Sequence, residues 1–535
     1  MQAISANPIF STLPLMPQKY FNIAGPCNSD EHYMLDPLRN IGKELTNLIE
    51  RKNYFVIHAA RQSGKTTLLW ELVNKINAEG KYYAFYCSLE GLQALTEPEK
   101  GIPEIVQKIE SYIRNQGLPN GFAKDANYGS ISNVLNDSLV DYCRSLDKPL
   151  VILFDEADCL SNGTLITFLR QLREGFVSRA KVPFVHSIAL VGMRNIRDYK
   201  ANIRPDSETL GSASPFNIVS KTMIISNFTY EDVTELYSQH TTATGQVFEK
   251  DAAQFIFEQT QGQPWLVNAI AIEAIEEICK SDYSIAITKD MAKQAIQNII
   301  LARGTHFDSL MERLRENRIR SVIQPLIMGE ETDRTTDNYL YAKDLGLIRD
   351  LNGKVEPSNP IYAEVIIRAI TCTAQEAIKN SKPNSDLPKY VIGGKIDINH
   401  LLKDFQSFWR ENSEIIWDEL YEEGFREYKE ASPHLVLQAF LQRVINGGGH
   451  ISREMALGKK RADICIEWDG QKYPIEIKIL RNSNSIADGL AQTLEYAERC
   501  GAGESWLVVF DRAVGKSWEE KLYVKVCDKV TIFGC

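Results

Sequence analysis

A chain of 535 residues is too long for one hydrophobic core, so about three or four domains are expected. The composition, 44% hydrophobic and 24% charged, is that of a globular protein, and a net charge of −10 excludes a wholesale polycation, so any nucleic-acid contact must come from a local patch. Ten cysteines run from Cys27 to Cys535 with no CxxC pair, which argues against a zinc site or a disulfide framework and fits a reducing cytoplasm. No basic-then-apolar leader and no run approaching ~18 apolar residues is present, so neither secretion nor a membrane span is expected.

Residues 1–50 read as an N-terminal arm, loosened by Pro8, Pro14 and Pro17 and ending in a helix expected from Pro37 to Glu50. Its position upstream of the next segment suits either contact with the base or sugar of a nucleotide or simple packing.

Residues 51–227 carry the first chemistry. In YFVIHAARQSGKTTLLW (54–70), the apolar run Tyr54 to Ile57 predicts a buried strand, a polar turn ends in Gly64-Lys65-Thr66-Thr67, and Leu68 and Leu69 open a helix. Strand, loop and helix in that order form a phosphate-binding loop, in which backbone N–H groups and a helix N-terminus face the phosphates. Ala60, Arg61, Gln62, Ser63, Gly64, Lys65, Thr66 and Thr67 are therefore expected to bind nucleotide, with Lys65 on the β- and γ-phosphates and Thr66 on Mg²⁺. Ala59 replaces the first glycine of GxxxxGK[ST], which is tolerable where the backbone does not need φ > 0.

YYAFYCSL (82–89) predicts a second strand, residues 92–147 read as mostly helical, and PLVILFDEAD predicts an apolar strand from Leu150 to Phe154 ending in Asp155-Glu156. Asp155 is the expected Mg²⁺ ligand and Glu156 the residue that polarises the attacking water. A further strand, Phe184 to Val191, ends in a polar stretch where Asn195 or Arg194 is placed to sense the γ-phosphate. Arg170, Arg173, Arg179 and Arg204 are candidate arginine fingers if subunits stack.

Residues 228–304 read as a helical lid, broken at TQGQPWLVNA by Gly262 and Pro264, with Pro264 expected near the nucleotide. Residues 305–372 have the layout of a winged helix: helices, then GLI, a strand, a turn at Asn352-Gly353 and another strand. Asp344, Asp350 and Glu356 weaken its local field and favour a protein-contact role. Residues 373–395 are the linker candidate, and residues 396–535 form the last domain, opened by a helical segment with Phe405, Phe408, Trp409 and Trp417 as expected core.

In that domain HLVLQAFLQRVINGGG predicts an amphipathic helix, followed by ADICIEW (462–468) and YPIEIKIL (473–480) joined by a turn at Asp469-Gly470. Ile475, Ile477 and Ile479 alternate with Glu476 and Lys478, so the isoleucines share one face and the charged pair the other. Hairpin pairing brings Asp463 beside that pair. Two carboxylates and a lysine suit phosphodiester hydrolysis: Asp463 and Glu476 offer hard oxygens to Mg²⁺, and Lys478 orients water or stabilises the developing charge. Lys459, Lys460, Arg461, Arg453 and Arg481 are placed to meet a phosphate backbone.

From Tyr54 to Leu266, HAARQSGKTT, LFDEAD, LVGMRNIRDYK and TQGQPWLVN resemble bacterial AAA+-like ATPases of the STAND and archaeal-ATPase group. From His434 to Arg512, LGKKRADICIEW, YPIEIKIL and LAQTLEYAERCGAGESWLVVFDR resemble a PD-(D/E)xK nuclease of the kind fused to such ATPases. The resemblance implies an α/β architecture: a P-loop parallel sheet with helical lid and winged helix, followed by a mixed α/β restriction-endonuclease-like domain. It implies Asp463, Glu476 and Lys478 as the metal-and-lysine core, with Gln492 on the helix that often carries a further polar residue. Where many such nucleases carry Glu on the first helix, this chain has Gln438 and Gln442, with Glu430 before it and Glu454 after. The expected protein is a cytoplasmic, bacterial, ATP- and Mg²⁺-dependent enzyme that acts on nucleic acid, DNA above all, and forms a homo-oligomer; defence against foreign DNA rests on analogy. The competing expectation is a signalling ATPase whose last domain binds nucleic acid or a partner without cutting.

Overall fold

The computed structural model describes residues 19–122, 130–192, 218–302, 305–327, 332–351, 353–366, 390–422, 433, 436–438, 440–441, 450–452, 464–480, 485–511, 513 and 515–535. The chain divides into two compact units, one comprising Met1–Ala302 with Lys343–Gly346, the other Arg303–Ala342 with Leu347–Cys535.

The first unit is built on a parallel sheet. Its strands are β1 (Tyr54–His58), β2 (Tyr83–Ser88), β3 (Leu150–Asp155), β4 (Ser187–Gly192) and β5 (Val219–Ile224), in the spatial order β2-β3-β4-β1-β5, every neighbouring pair parallel. The runs YFVIH, LVILFD and SIALVG are buried at every position, as strands covered on both faces must be. One face carries a cluster with Phe85, Ile105, Ile152 and Phe168; the other carries Phe55, Ile57, Leu69, Leu72 and Leu153.

Several elements differ in extent from the sequence expectation. The arm's helix, α1, runs only Gly42–Glu50, and Pro37 to Ile41 are turns. The third apolar run extends one residue further, so that Asp155 itself is the last residue of β3. β4 starts at Ser187 rather than Phe184, and β5 has no counterpart among the expected strands. The helices are α2 (Lys65–Glu79), α3 (Pro98–Asn115), α4 (Val134–Ser145) and α5 (Asn162–Ser178), followed by α6 (Tyr230–Thr244), α7 (Lys250–Thr260), α8 (Pro264–Ile272) and α9 (Lys289–Ala302). The helix that starts at Pro264 changes to a π-helical turn at Glu273–Ile278.

In the second unit, HFDSLMERLRENRIRSVIQPLI forms two helices, α10 (Thr305–Arg313) and α11 (Asn317–Ile327). Helix α12 (Asp337–Asp344), whose last two residues count with the first unit, and the antiparallel pair β6 (Ile348–Leu351) and β7 (Lys354–Pro357) follow. The end of the expected linker is structured: β8 (Val391–Ile392) and β9 (Lys395–Ile396) pair, and Gly393 and Gly394, at φ +60° and +84°, are their hairpin turn. Helix α13 (Ile398–Glu422) buries Phe405, Phe408 and Trp409. The remaining strands form one mixed sheet in the order β10-β11-β12-β13-β15-β14: β10 (His450–Ser452), β11 (Ile464–Trp468), β12 (Gln471–Ile479), β13 (Ser505–Phe510), β14 (Val524–Cys527) and β15 (Val530–Gly534). Helix α14 (Ser485–Cys500) covers one face and α13 packs on the other, against Ile475, Ile477 and Trp506.

Candidate functional site

At the carboxyl end of β1 the chain turns through Ala59–Gly64 into α2. Gln62 and Gly64 adopt φ +57° and +86°, and Gly64 is the N-cap of α2 with no side chain to obstruct the amide groups behind it. Ala59 has no positive φ, so a methyl group is accepted where the pattern usually has glycine. Ser63 Oγ donates to Ala60 O at 2.7 Å and braces the turn, while Arg61 is exposed. Lys65 is only 6% exposed, and its Nζ donates to Ala59 O at 3.1 Å and Ala60 O at 3.0 Å. Burial lowers its pKa, opposed by Glu156, Asp155 and Asp158. Its ammonium is thus held over the loop by carbonyls that phosphate oxygens can replace.

Three donors converge on Asp155, which is 1% exposed. Its Oδ2 accepts from Thr66 Oγ1 at 2.8 Å and from Tyr86 Oη at 3.1 Å, and its Oδ1 accepts from the Glu156 amide at 3.0 Å. A threonine hydroxyl whose proton lies on a carboxylate keeps its lone pairs for a cation, so this all-oxygen donor set fits Mg²⁺. Glu156 follows in the left-handed region, φ +51°, which turns its side chain away from the strand's pleat. Its carboxyl is pushed up to about 7, first by burial and then by Asp158 and Asp155, against the opposing pull of Lys65. A carboxylate poised there is suited to take a proton from water near neutrality.

Beside the loop lies a cleft of about 890 Å³, counted to its open mouth, between the arm, the loop and the helical segment. Pro264 lines it together with Trp265 and Asn268 from α8, Gln62, Gly64 and Thr67 from the loop, and Tyr33 and Cys27 from the arm. The arm therefore both packs and lines the cleft. Cys27 N donates to Thr67 Oγ1 at 3.0 Å, Trp265 Nε1 donates to Ile23 O at 3.0 Å, and Gln239 bonds both the N–H and the C=O of Met34. Arg39 clasps Asp232 through two bonds of 2.9 and 3.0 Å. Gln263 caps α8 by accepting from Leu266 N at 2.6 Å and reaches Gln62 O at 3.5 Å. None of Tyr33, Gln263, Asn268 and Tyr86 was expected from sequence. Gln263 and Asn268 lie within TQGQPWLVNA, where the Pro264 break was the available signal.

Asn195, Arg194 and Arg204 lie outside the described residues. Arg170 is exposed on α5 and Arg173 partly so. Arg179 donates to Lys52 O at 2.7 Å and stacks over Phe176 at 3.8 Å, next to the residues that lead into β1.

In the second unit, Glu476 and Lys478 share one face of β12, as period two requires, and Ile475 and Ile477 are buried on the other. That charged face is not an outer one. Glu476 is 2% exposed beneath α14, Lys478 Nζ donates to its Oε1 at 2.7 Å, and a Cβ on Gly489 of α14 would meet Lys478 Cγ at 3.0 Å. Asp463 lies outside the described residues, as do Arg453, Glu454, Lys459, Lys460, Arg461, Arg481, Glu430 and Gln442; Ile464, next to Asp463, pairs with Ile475. Gln438 is buried at 2% exposure. Among the described residues no group of three or more His, Cys, Asp or Glu side chains is gathered to hold a metal, and no helix is long and apolar enough to cross a membrane.

A parallel sheet with a phosphate loop after its first strand, and an Asp-Glu pair at the end of a neighbouring strand, defines a P-loop ATPase-like protein. Residues 29–367 match the model of the AAA-like domain, and the chain belongs to that family. Residues 398–513 match a domain of unknown function (DUF8371). No curated protein matches the chain. Among solved structures it is similar to the Walker-type ATPase PABY2304 of Pyrococcus abyssi, at 15% identity over 65% of this chain and 99% of that one, with a TM-score of 0.46. It is also similar to the Holliday junction branch migration motor RuvB of Thermotoga maritima, at 13% identity over 61% and 94% of the two chains with a TM-score of 0.34. Cdc6p of Pyrobaculum aerophilum matches at 15% identity over 62% and 94%, with a TM-score of 0.36.

Proposed function

We propose that this protein binds and hydrolyses ATP with Mg²⁺, and that its nucleotide state governs metal-dependent phosphodiester cleavage of nucleic acid, DNA first, by its last domain. The convergence of Thr66 Oγ1 on Asp155, with Lys65 and Glu156 beside it, carries the ATPase half. Lys65 and the amide groups from Gly64 onward bind the phosphates, Thr66 and Asp155 hold the cation, and Glu156 receives the proton of the attacking water. Asn195 is proposed as the γ-phosphate sensor and Pro264 as part of the nucleotide wall. The domain division read from sequence is proposed as part of this reading, with the winged-helix region as a protein contact.

The Glu476–Lys478 pair supports the nuclease half: a carboxylate and an ammonium in direct contact on one strand, with Asp463 proposed as the second metal ligand. Buried Gln438, in place of the acid common on that helix, favours the second reading, in which the domain binds nucleic acid or a partner without cutting. A nuclease assay on linear, circular and single-stranded DNA and on RNA, with Mg²⁺ or Mn²⁺ and with ATP, ADP or a nonhydrolysable analogue, separates the two. Cleavage abolished by Lys478→Ala is expected; no cleavage under any condition leaves the second reading.

A further inference from the structure

Tyr86 sits on β2, the edge strand of the sheet, where nothing in a phosphate-loop pattern asks for a tyrosine. In the parallel register Tyr86 lies opposite Leu153 and Ser88 opposite Asp155, so Tyr86 and Asp155 are diagonal neighbours on one face. Such a diagonal is too wide for a short side chain and within reach of an aromatic one. The phenol spans it and donates from Oη to Asp155 Oδ2 at 3.1 Å, the same oxygen that accepts from Thr66.

The half-buried phenol is held by two ring contacts and its backbone by a glutamine. Its ring is met edge-on by Trp70 at 6.2 Å and by Tyr112 at 5.8 Å. Its backbone, on the open edge of the sheet, is closed by one side chain: Gln116 Oε1 accepts from Tyr86 N at 3.1 Å and Gln116 Nε2 donates to Tyr86 O at 2.7 Å.

We infer that Tyr86 is a positioning residue for the magnesium carboxylate: its hydroxyl fixes the rotation of Asp155 so that the carboxylate and Thr66 Oγ1 present a preformed pair of oxygens to the cation of ATP·Mg²⁺. This rests on the ATP reading above. Side chains that orient a metal ligand from behind change metal affinity or activity by about 10–100-fold when removed.

The test is Tyr86→Phe, which deletes the hydroxyl and keeps the ring between Trp70 and Tyr112. Binding of the fluorescent nonhydrolysable analogue mant-AMPPNP is titrated in EDTA and again across a Mg²⁺ series. In EDTA the variant is expected to bind within about twofold of wild type, whereas the strengthening by Mg²⁺ falls by roughly tenfold. Steady-state hydrolysis should then need about tenfold more Mg²⁺ for half-maximal rate, with kcat largely recovered at saturating Mg²⁺. An unchanged Mg²⁺ response overturns the inference. So does an equal loss in both arms, because that is the signature of a merely structural side chain. Wild-type protein that binds no nucleotide in either arm overturns the ATP reading itself, a different outcome from a variant that behaves as wild type.

Discussion

At the scale of single residues the ATPase site is a problem of buried charge. Lys65 and Asp155 are buried and each is held by a named partner, and Glu156 lies half-buried within the electrostatic reach of both. Glu156 is the least settled, its carboxyl raised from 4.5 to about 7 chiefly by burial. A raised carboxyl means that the folded protein holds the proton more tightly than the unfolded chain. Stability from this group is therefore fully present below 4.5 and lost as pH rises through about 7. In ligand-free protein Glu156→Gln should raise the melting temperature at pH 8 by the equivalent of about 2 kcal/mol, discounted for partial exposure, and have no such effect at pH 4.5. Calorimetry at the two pH values checks it. Because only the ionised form accepts a proton, kcat/KM for ATP should climb with pH, with a midpoint near 7. Glu156→Gln should retain ATP binding and lose at least about a hundredfold in turnover, since a positioned base contributes on that order. Lys65→Ala, which removes the ammonium proposed to meet the phosphates, should weaken ATP binding at least about a hundredfold by titration calorimetry.

At the scale of elements, the joint between β5 and the helical segment depends on one glycine. Gly262 has φ +69°, and a Cβ there would lie 1.8 Å from Phe228 O, whose own amide donates to Gly262 O at 2.9 Å. Both the backbone and the space forbid a side chain, so Gly262→Ala should cost about 3 kcal/mol or more in thermal unfolding and raise the KM for ATP by displacing Pro264 and Trp265 from the cleft. That Gly-x-Pro break was legible because glycine and proline interrupt an otherwise helical pattern. Strands β1, β3 and β4 were legible for a related reason: strands buried on both faces read as unbroken apolar runs. β5 was not, because VSKTMI is an edge strand in which Met223 alone is buried, and no periodicity marks such a segment. The π-helical turn at Glu273–Ile278 was likewise invisible, since it alters hydrogen-bond partners without altering the apolar pattern. Within the site, Lys65, Thr66, Asp155 and Glu156 were legible from spacing, whereas Tyr86 was not: in YYAFYC it reads as one more strand aromatic, and its role depends on a carboxylate 69 residues away.

At the scale of the whole molecule, the proposed function assigns two chemistries to one chain: ATP hydrolysis to the phosphate loop in the first unit and cleavage to Glu476–Lys478 in the second. Glu476 is buried beneath α14 and its ion-pair partner Lys478 is about a quarter exposed, so the pair joins a desolvated carboxylate to an ammonium within reach of solvent. If the nucleotide state governs the last domain, the two sites separate genetically. Lys478→Ala, which leaves Glu476 without its ammonium, should abolish cleavage and leave ATP hydrolysis within about twofold of wild type, because Lys478 belongs to a different compact unit from the phosphate loop. Lys65→Ala should do the converse, losing ATP binding while any cleavage that remains becomes indifferent to ATP, ADP and the nonhydrolysable analogue. Parallel assays of phosphate release and DNA cleavage on the two variants decide the matter. Cleavage by Lys65→Ala that still responds to nucleotide would place the control elsewhere, and equal loss of both activities in Lys478→Ala would mean that the pair supports the fold rather than the chemistry.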